Sequence, residues 1–328
     1  MEIALKYMFS LMVATMLLGA QQFPEATISN GQVTAKLYLP DSERGYYRGT
    51  RFDWAGVIAS LEFKGHSYFG VWFDRYDPKL HDAISGPVEE FFQDDAALGY
   101  KDAKPGETFV RIGVGALRKP DEAKFDRFKT YDIAGHGKWT VRTRPDSVEF
   151  THHLVDRSSG YSYEYRKTIR LQKGKPVLEI SHSLRNRGHK VIATDVYNHN
   201  FFVIDGKKTA EGLTVTFPFA AEAKQAMGGL AELREGGKEL AFLRELTQRE
   251  HVMTELRGYS ATDPSDHSFR VENRATGAGV HVKGDRPMSK LLFWCGWKVA
   301  SPEDYITMSI EPGQSFRWTN QYEFYATK

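Results

Sequence analysis

Short extended segments separated by turn residues recur along almost the whole chain, and this repetition constrains the fold more than any other feature. The segments 161–171 and 177–186 are the best defined, because residues 172–176 join them as a longer hairpin loop. From Leu178 to Arg185 mostly apolar side chains alternate with small or charged ones, which is typical of a half-buried antiparallel strand. So many strands must curl or split into two packed sheets, so we predict a large all-β antiparallel sandwich.

Helix-favouring residues are concentrated between about residues 220 and 251. The pairs Gly228-Gly229 and Gly236-Gly237 break this segment into short pieces, so we expect helices only as minor insertions. Residues 78–108 contain frequent Pro, Gly and Asp and are predicted to be irregular. The sequence has no repeat of 20 to 50 residues and no flexible linker, which predicts one sandwich domain over residues 21–328.

The first twenty residues differ in character from the rest of the chain. Lys6 precedes an apolar run over residues 7–18, and Gly19-Ala20 supplies small residues at its end, which predicts a secretory signal peptide over residues 1–20. The run is too short for a membrane span, and no cysteine follows it to carry a lipid. We therefore expect a periplasmic or secreted protein without a stable membrane anchor.

Charge and cysteine content exclude several classes of partner. The 44 basic and 42 acidic residues are interspersed and give a net charge of +2, so no nucleic-acid partner is expected. The one cysteine, Cys295, permits neither an internal disulfide nor a cysteine-based zinc site. We predict no metal and no cofactor, and the oligomeric state stays open.

The segment 191–205 combines β-branched and aromatic residues with one histidine between two asparagines. In a strand, period two places four of its side chains on one face: Asp195, Tyr197, His199 and Phe201. This face suits sugar recognition, because aromatic rings can lie against C–H groups while polar tips bind hydroxyls. The histidine adds a group that titrates near neutrality. The competing interpretation is a structural histidine of the core.

Taken in order, several segments resemble the galactose mutarotase-like superfamily, which includes aldose 1-epimerases and hexose-6-phosphate epimerases and has a large β-sandwich fold. Residues 198–202, Asn-His-Asn-Phe-Phe, look like the histidine segment that ends a central strand in that family. Residues 48–56 are similar to the early segment that supplies a substrate-binding arginine. Residues 301–303 and the turn at 311–315 look like the family's carboxylate and its closing hairpin. The resemblance covers roughly residues 30–325.

The resemblance implies an enzyme that interconverts the anomers of a small-molecule carbohydrate by ring opening. Such an enzyme removes the proton on O1 while it supplies a proton to the ring oxygen. By position, His199 would be the acid, Glu303 the base, and Arg51 would hold a hydroxyl or the ring oxygen. Further substrate-binding candidates are Asp53, Asp195, Asn198 and Trp297.

The sequence also departs from the family pattern. A second active-site histidine is absent near residues 112–115, and His136, a substitute, lies between glycines typical of a tight turn. Glu311 is an alternative base, and its competing interpretation is a solvent-facing turn residue. Two other functions therefore stay open, because a fold does not fix a function. They are a non-catalytic carbohydrate-binding sandwich and a relative of polysaccharide lyases or hydrolases.

Overall fold

The computed structural model describes residues 23–92 and 96–327, so the predicted signal peptide lies outside the described residues. Within these ranges the chain forms antiparallel strands and three short 3₁₀ helices, and no helix is long and apolar enough to cross a membrane. The 3₁₀ helices are Ile204–Gly206, Glu235–Gly237 and Pro264–Asp266.

The strands of the N-terminal half are β1 (Glu25–Ser29), β2 (Val33–Tyr38), β3 (Val57–Phe63), β4 (His66–Phe69), β5 (Val88–Phe92), β6 (Thr108–Arg111), β7 (Gly115–Arg118), β8 (Asp132–Gly135), β9 (Lys138–Arg144), β10 (Ser147–Asp156), β11 (Tyr161–Leu171) and β12 (Val177–Asn186). Those of the C-terminal half are β13 (Ile192–His199), β14 (Leu213–Thr216), β15 (Glu222–Ala223), β16 (Ala231–Arg234), β17 (Glu239–Phe242), β18 (Val252–Arg257), β19 (Ser268–Asn273), β20 (Ala278–Gly284), β21 (Lys290–Gly296), β22 (Val299–Ile310) and β23 (Ser315–Ala326).

The strands form two large antiparallel sheets and two small ones. A ten-stranded sheet has the order β16-β17-β14-β19-β20-β23-β12-β11-β10-β9, and a six-stranded sheet has the order β15-β18-β21-β22-β13-β5. Strands β1 to β4 form a four-stranded sheet. Phe202 forms one isolated bridge with Phe69 of β4 and another with Ala300 of β22, and so connects this sheet to the six-stranded sheet. Strands β6 to β8 form the fourth sheet.

The main core lies between these sheets. Phe150 and Ile180 of the ten-stranded sheet belong to one cluster of buried side chains with Phe293 of the six-stranded sheet and Leu61 of the four-stranded sheet. Each such side chain contributes about 1.5 to 3 kcal/mol when it is fully buried. The predicted all-β sandwich is therefore confirmed.

The predicted hairpin is also present. Strands β11 and β12 pair antiparallel up to Leu171 and Leu178, on either side of the loop. The burial of β12 alternates as its sequence predicts, with Leu178, Ile180 and Leu184 inside.

The minor helical insertions expected between residues 220 and 251 amount to one 3₁₀ helix in the described structure. This segment forms strands β15 to β17, with the 3₁₀ helix Glu235–Gly237 in the turn between β16 and β17. Gly228 and Gly236 have positive φ angles and turn the chain there. Strand β17 pairs with both β16 and β14, and this pairing supplies hydrogen-bond partners that local helix preference does not anticipate.

The segment 78–108 also differs in part from the prediction. Although it is expected to be irregular, it contains β5, which pairs with β13 along the edge of the six-stranded sheet. Farther along the chain, β8 begins at Asp132, and Phe128 lies in the preceding loop with its side chain exposed. This loop borders the site described next.

Candidate active site

The predicted acid and base meet in the structure. Strands β13 and β22 pair with Tyr197 opposite Tyr305, and the same register carried two residues further places His199 opposite Glu303. His199 Nε2 lies 3.2 Å from Glu303 Oε1. On the other side of the ring, Nδ1 lies 2.8 Å from the hydroxyl of Ser301. Strand register therefore brings together two residues that are far apart in the sequence.

Glu303 lies within β22, and so does Pro302, the residue before it. A proline at position 302 argues against a central strand, because proline cannot donate to the ladder. The pairing of β22 with β13 covers residues from Tyr305 onward, so Pro302 pairs only with β21, opposite Phe293. The strand can therefore include Pro302 and present Glu303 to His199.

Aromatic side chains enclose the imidazole. The ring of Phe201 stacks on that of His199 at a centroid distance of 3.6 Å, and Phe52 and Trp294 contact it edge-on. Phe201 has φ of +41°, a left-handed conformation that is costly for a bulky residue. This backbone strain at the end of β13 accompanies the placement of the phenyl ring against the imidazole.

Burial sets the protonation state of the pair. His199 and Glu303 are each 4% exposed. Burial, and then the nearby Arg51, holds the pKa of His199 well below its usual value. Burial raises the pKa of Glu303 to about 8, against the lowering effect of Arg51 and Arg127. At neutral pH the pair thus holds one proton on the carboxyl group and a free acceptor on the imidazole.

Arg51 lies beside the pair and is fixed by three partners. Its Nε donates to Glu90 at 2.9 Å, its Nη1 to Asp82 at 2.7 Å and its Nη2 to the hydroxyl of Tyr197 at 3.2 Å. The guanidinium also lies over the ring of Phe52 at 4.4 Å. Arg51 is therefore held rigidly at the site, as a positioned cation.

Glu90 is the centre of a buried arginine cluster. It is fully buried and also accepts hydrogen bonds from Arg111 at 2.9 Å and Arg127 at 2.6 Å. Burial opposes ionisation, but the charges of Arg127, Arg51 and Arg111 outweigh it and hold the pKa of Glu90 well below its usual value. Glu90 is therefore a carboxylate at neutral pH.

Two tyrosines connect this cluster to the acid and base. Tyr197 donates to Glu90 at 2.6 Å, and its ring stacks on Tyr305 at 4.5 Å. The hydroxyl of Tyr305 donates to Glu303 at 3.2 Å. The charges of Arg51 and Arg127 oppose the effect of burial on the pKa of Glu303, and the hydrogen bond from Tyr305 acts in the same direction as these charges.

The sequence pattern does not predict the arginine cluster. Glu90 lies in the segment 78–108 that is predicted to be irregular, and no local motif singles out Arg127. The available signal was Glu89-Glu90 between Val88 and Phe91, since adjacent carboxylates in an apolar strand point to opposite faces and each needs a buried cation. Lys167 of β11 is the buried cation beside Glu89 on the inner face.

A cleft opens near the pair, and Trp294 separates it from His199, since neither His199 nor Glu303 contributes to its lining. Three tryptophans, Trp72, Trp294 and Trp297, line a cavity of about 450 Å³ together with Asp82. This volume is within the range of small-molecule sites. Trp294 contacts the ring of His199. Trp297, a predicted substrate-binding residue, lines the same cavity as Trp294.

Two other predicted binding residues of β13 lie elsewhere, one because it points to the other face and one because it is farther along the strand. Asn198 points to the inner face, where its amide donates to Asp304 at 3.2 Å. Asp195 lies on the face of His199 but four residues earlier, about 13 Å along the strand, and accepts from Thr307.

Asp53 is also remote from the pair and does not contact Arg51 in the described structure. It is 1% exposed, accepts a hydrogen bond from Tyr165 at 3.0 Å and lies 3.6 Å from Lys167. Burial raises its pKa to about 7. Asp53 thus belongs to a polar cluster between the sheets, beside Glu89.

The alternative acid and base residues occupy turns. Glu311 is exposed in the turn after β22. The carbonyl of His136 accepts from His152, and the following Gly137 has φ of +66°, as a tight turn requires. Within the described part of the chain no group of three or more potential metal ligands occurs.

Comparison with known proteins identifies the fold. No family model matches the sequence, and no curated protein matches it. Solved structures do match. A galactose mutarotase related enzyme from Lactobacillus acidophilus has a TM-score of 0.56 at 13% identity, with 93% of this chain and 98% of that chain covered.

Two further solved structures agree. A galactose mutarotase-like protein from Lactobacillus casei has a TM-score of 0.55 at 12% identity, over 92% of this chain and 100% of that chain. A galactose 1-epimerase from Lactobacillus acidophilus has a TM-score of 0.51 at 11% identity, over 93% and 95% of the two chains. The chain therefore has the galactose mutarotase-like fold, and the resemblance seen in the sequence is confirmed at the level of the fold.

Proposed function

We propose that this protein is an exported aldose 1-epimerase-like enzyme that interconverts the anomers of a free sugar. The observation that carries the proposal is the 3.2 Å contact between His199 Nε2 and Glu303 Oε1, beside a tryptophan-lined cleft in a galactose mutarotase-like fold. An imidazole and a carboxyl group in contact, with pKa values shifted in opposite directions, are suited to paired proton transfer.

The chemistry requires one donor and one acceptor close together. O1 and the ring oxygen are bonded to the same carbon, so the two groups that act on them must be neighbours. On binding, the sugar replaces the contact between His199 and Glu303. One group then takes the proton of O1 while the other protonates the ring oxygen, and reclosure on the opposite face reverses both transfers.

The pKa directions assign the starting roles. At neutral pH Glu303 carries the proton and His199 is neutral, so Glu303 is the acid and His199 the base in the ring-opening step. This is the reverse of the roles implied by the family resemblance. Each positioned proton transfer typically contributes about 10²- to 10⁴-fold in rate.

A second candidate is a sugar-binding protein without turnover. The observation that favours it is the low exposure of the pair, 4% for each residue, together with the contacts already made by both imidazole nitrogens. In this case a sugar would occupy the cleft beside Trp297 and leave the pair closed.

Polarimetry on freshly dissolved aldoses separates the two candidates. We expect the wild-type protein to accelerate mutarotation of at least one aldose, and His199→Ala and Glu303→Gln to lose about 10²-fold or more. Equal rates for all three proteins would refute the enzyme. Stabilisation by a sugar without any turnover would support the binding protein. N-terminal sequencing of the exported chain tests cleavage after residue 20.

A further inference from the structure

A second cavity borders the arginine cluster and has no part in the proton transfers. Its volume is about 550 Å³, and it lies between Phe92 at the end of β5 and the loop that holds Phe125 and Phe128. Three phenyl rings and two cations, Lys124 and Arg127, contribute to its lining. A cavity of this size with apolar walls and a few charged groups is typical of a ligand site.

Arg127 uses only part of its hydrogen-bonding capacity. Its Nη2 donates to Glu90 and to the Tyr197 hydroxyl, its Nε is buried without a partner, and its Nη1 makes no hydrogen bond with any of the described residues. The guanidinium lies over the ring of Phe92 at 4.6 Å, and its side chain is 30% exposed. A guanidinium that is held flat with a free edge can bind a carboxylate or phosphate.

The charges around this cavity favour an anion. Lys124 is exposed and forms no ion pair with any residue in the described ranges. The acidic residue in the lining, Asp126, accepts a hydrogen bond from the backbone N–H of Phe128, which fixes it in a local turn. The cluster behind the cavity contains three guanidinium groups and two carboxylates, so it has one positive charge in excess. The residues are Arg51, Arg111, Arg127, Glu90 and Asp82.

The cavity is connected to the acid and base through one side chain. The hydroxyl of Tyr197 accepts from Arg127 at 3.0 Å, and the ring of Tyr197 lies 6.1 Å from that of His199, centroid to centroid. A ligand group beside Arg127 is thus one residue away from the reacting centre.

We propose that this cavity binds the anionic substituent of the sugar, so that the substrate is an acidic aldose carrying a carboxylate or a phosphate remote from C1. Arg127 forms the hydrogen bonds to the anion, Lys124 adds a second positive charge at the open side, and the phenyl rings exclude water. The inference rests on the proposed function, since it places the anomeric carbon at His199 and Glu303.

Isothermal titration of the full mature chain with five sugars tests the subsite. The sugars are D-glucuronate, D-glucose 6-phosphate and D-glucose, and D-galacturonate and D-galactose form a second matched pair. We expect at least one acidic sugar to bind about tenfold or more tightly than its neutral counterpart, the effect of one charge-assisted hydrogen bond. The advantage should shrink as salt is raised. Comparison of the carboxylate and the phosphate identifies which anion is recognised.

The matched variants are Lys124→Gln and Lys173→Gln. Both lysines are exposed, so both variants should fold, and Lys173 lies in the hairpin loop between β11 and β12. We expect Lys124→Gln to lower the ratio of acidic to neutral affinity several-fold and Lys173→Gln to leave the ratio unchanged. Arg127→Gln should abolish the preference.

The outcomes separate this proposal from the proposed function. Equal affinity for acidic and neutral sugars in the wild type, binding of no sugar at all, or an unchanged ratio in Lys124→Gln overturns the subsite. Mutarotation of D-glucose without any acidic preference overturns the subsite and leaves the epimerase proposal standing. Tight binding of D-glucuronate without anomer exchange supports the subsite and contradicts the epimerase proposal.

Discussion

Replacement of Glu90 by glutamine tests the electrostatic organisation of the site. The change keeps the size of the side chain but removes the charge that three arginines share. In the wild type both carboxylate oxygens accept from guanidiniums, Oε1 from Arg111 and Oε2 from Arg51 and Arg127. A glutamine amide in the same place has an NH₂ group where the carboxylate has an oxygen. This NH₂ group would face the N–H donors of the arginines on that side.

The magnitude follows from the burial of the group. Removal of one partner from a buried ion pair typically costs about 3 to 5 kcal/mol, because the remaining charge stays buried without compensation. Here Arg111 is 2% exposed and Glu90 is fully buried, so solvent compensates little. Since domains are typically stable by about 5 to 15 kcal/mol, Glu90→Gln should remove about a fifth or more of the free energy of unfolding.

Urea denaturation at several pH values provides the assay, with Glu232→Gln as the control. Glu232 forms an exposed ion pair with Arg234, which is expected to contribute less than about 1 kcal/mol. The folded-state pKa of Glu90 is lowered, so its contribution is present above the unfolded value near 4.5 and is lost as the pH falls through the folded pKa. The difference between wild type and Glu90→Gln should therefore be largest near pH 7 and shrink in acid. A loss as small as that of Glu232→Gln, or one independent of pH, would refute this reasoning.

Three further predictions concern the acid and base and the cleft. Activity should fall above pH about 8, where Glu303 loses its proton, and also well below pH 6.5, where His199 becomes protonated; a pH profile of kcat/KM, which reports the groups of the free enzyme, checks both limbs. Tyr305→Phe removes a hydrogen bond that lowers the pKa of Glu303, so the basic limb should move to higher pH, and an unmoved limb would contradict the assignment. Trp297→Ala removes a cleft wall and should raise KM several-fold with a smaller effect on kcat, measured by polarimetry over a range of sugar concentrations.

Features encoded by local pattern could be predicted from the sequence. The alternation in residues 177–186 predicts a half-buried strand, and the structure contains it. The same rule groups Tyr197 with His199 on one face and Asn198 on the other, as observed. The meeting of His199 with Glu303 came from the family resemblance, because strand register over so long a separation has no local signal.

Features that depend on partners distant in sequence could not be predicted. Asp53 follows Arg51 by two positions in the sequence, yet its side chain points between the sheets toward Lys167. The packing of the two sheets determines this orientation, and the local sequence does not show it. Glu90 and Arg127 form an ion pair between β5, which lies in a segment predicted to be irregular, and the loop before β8. The turn residues around β5 conceal this strand in the sequence.

The most direct test of the account is the rate of mutarotation, followed by polarimetry, for His199→Asn, Glu303→Gln and the double variant, with circular dichroism as the folding control. Residues that transfer protons as a unit give non-additive losses. We predict that each single variant loses about 10²-fold or more and that the double variant is no slower than the worse single variant. Folded variants that accelerate mutarotation as well as the wild type would contradict the central claim.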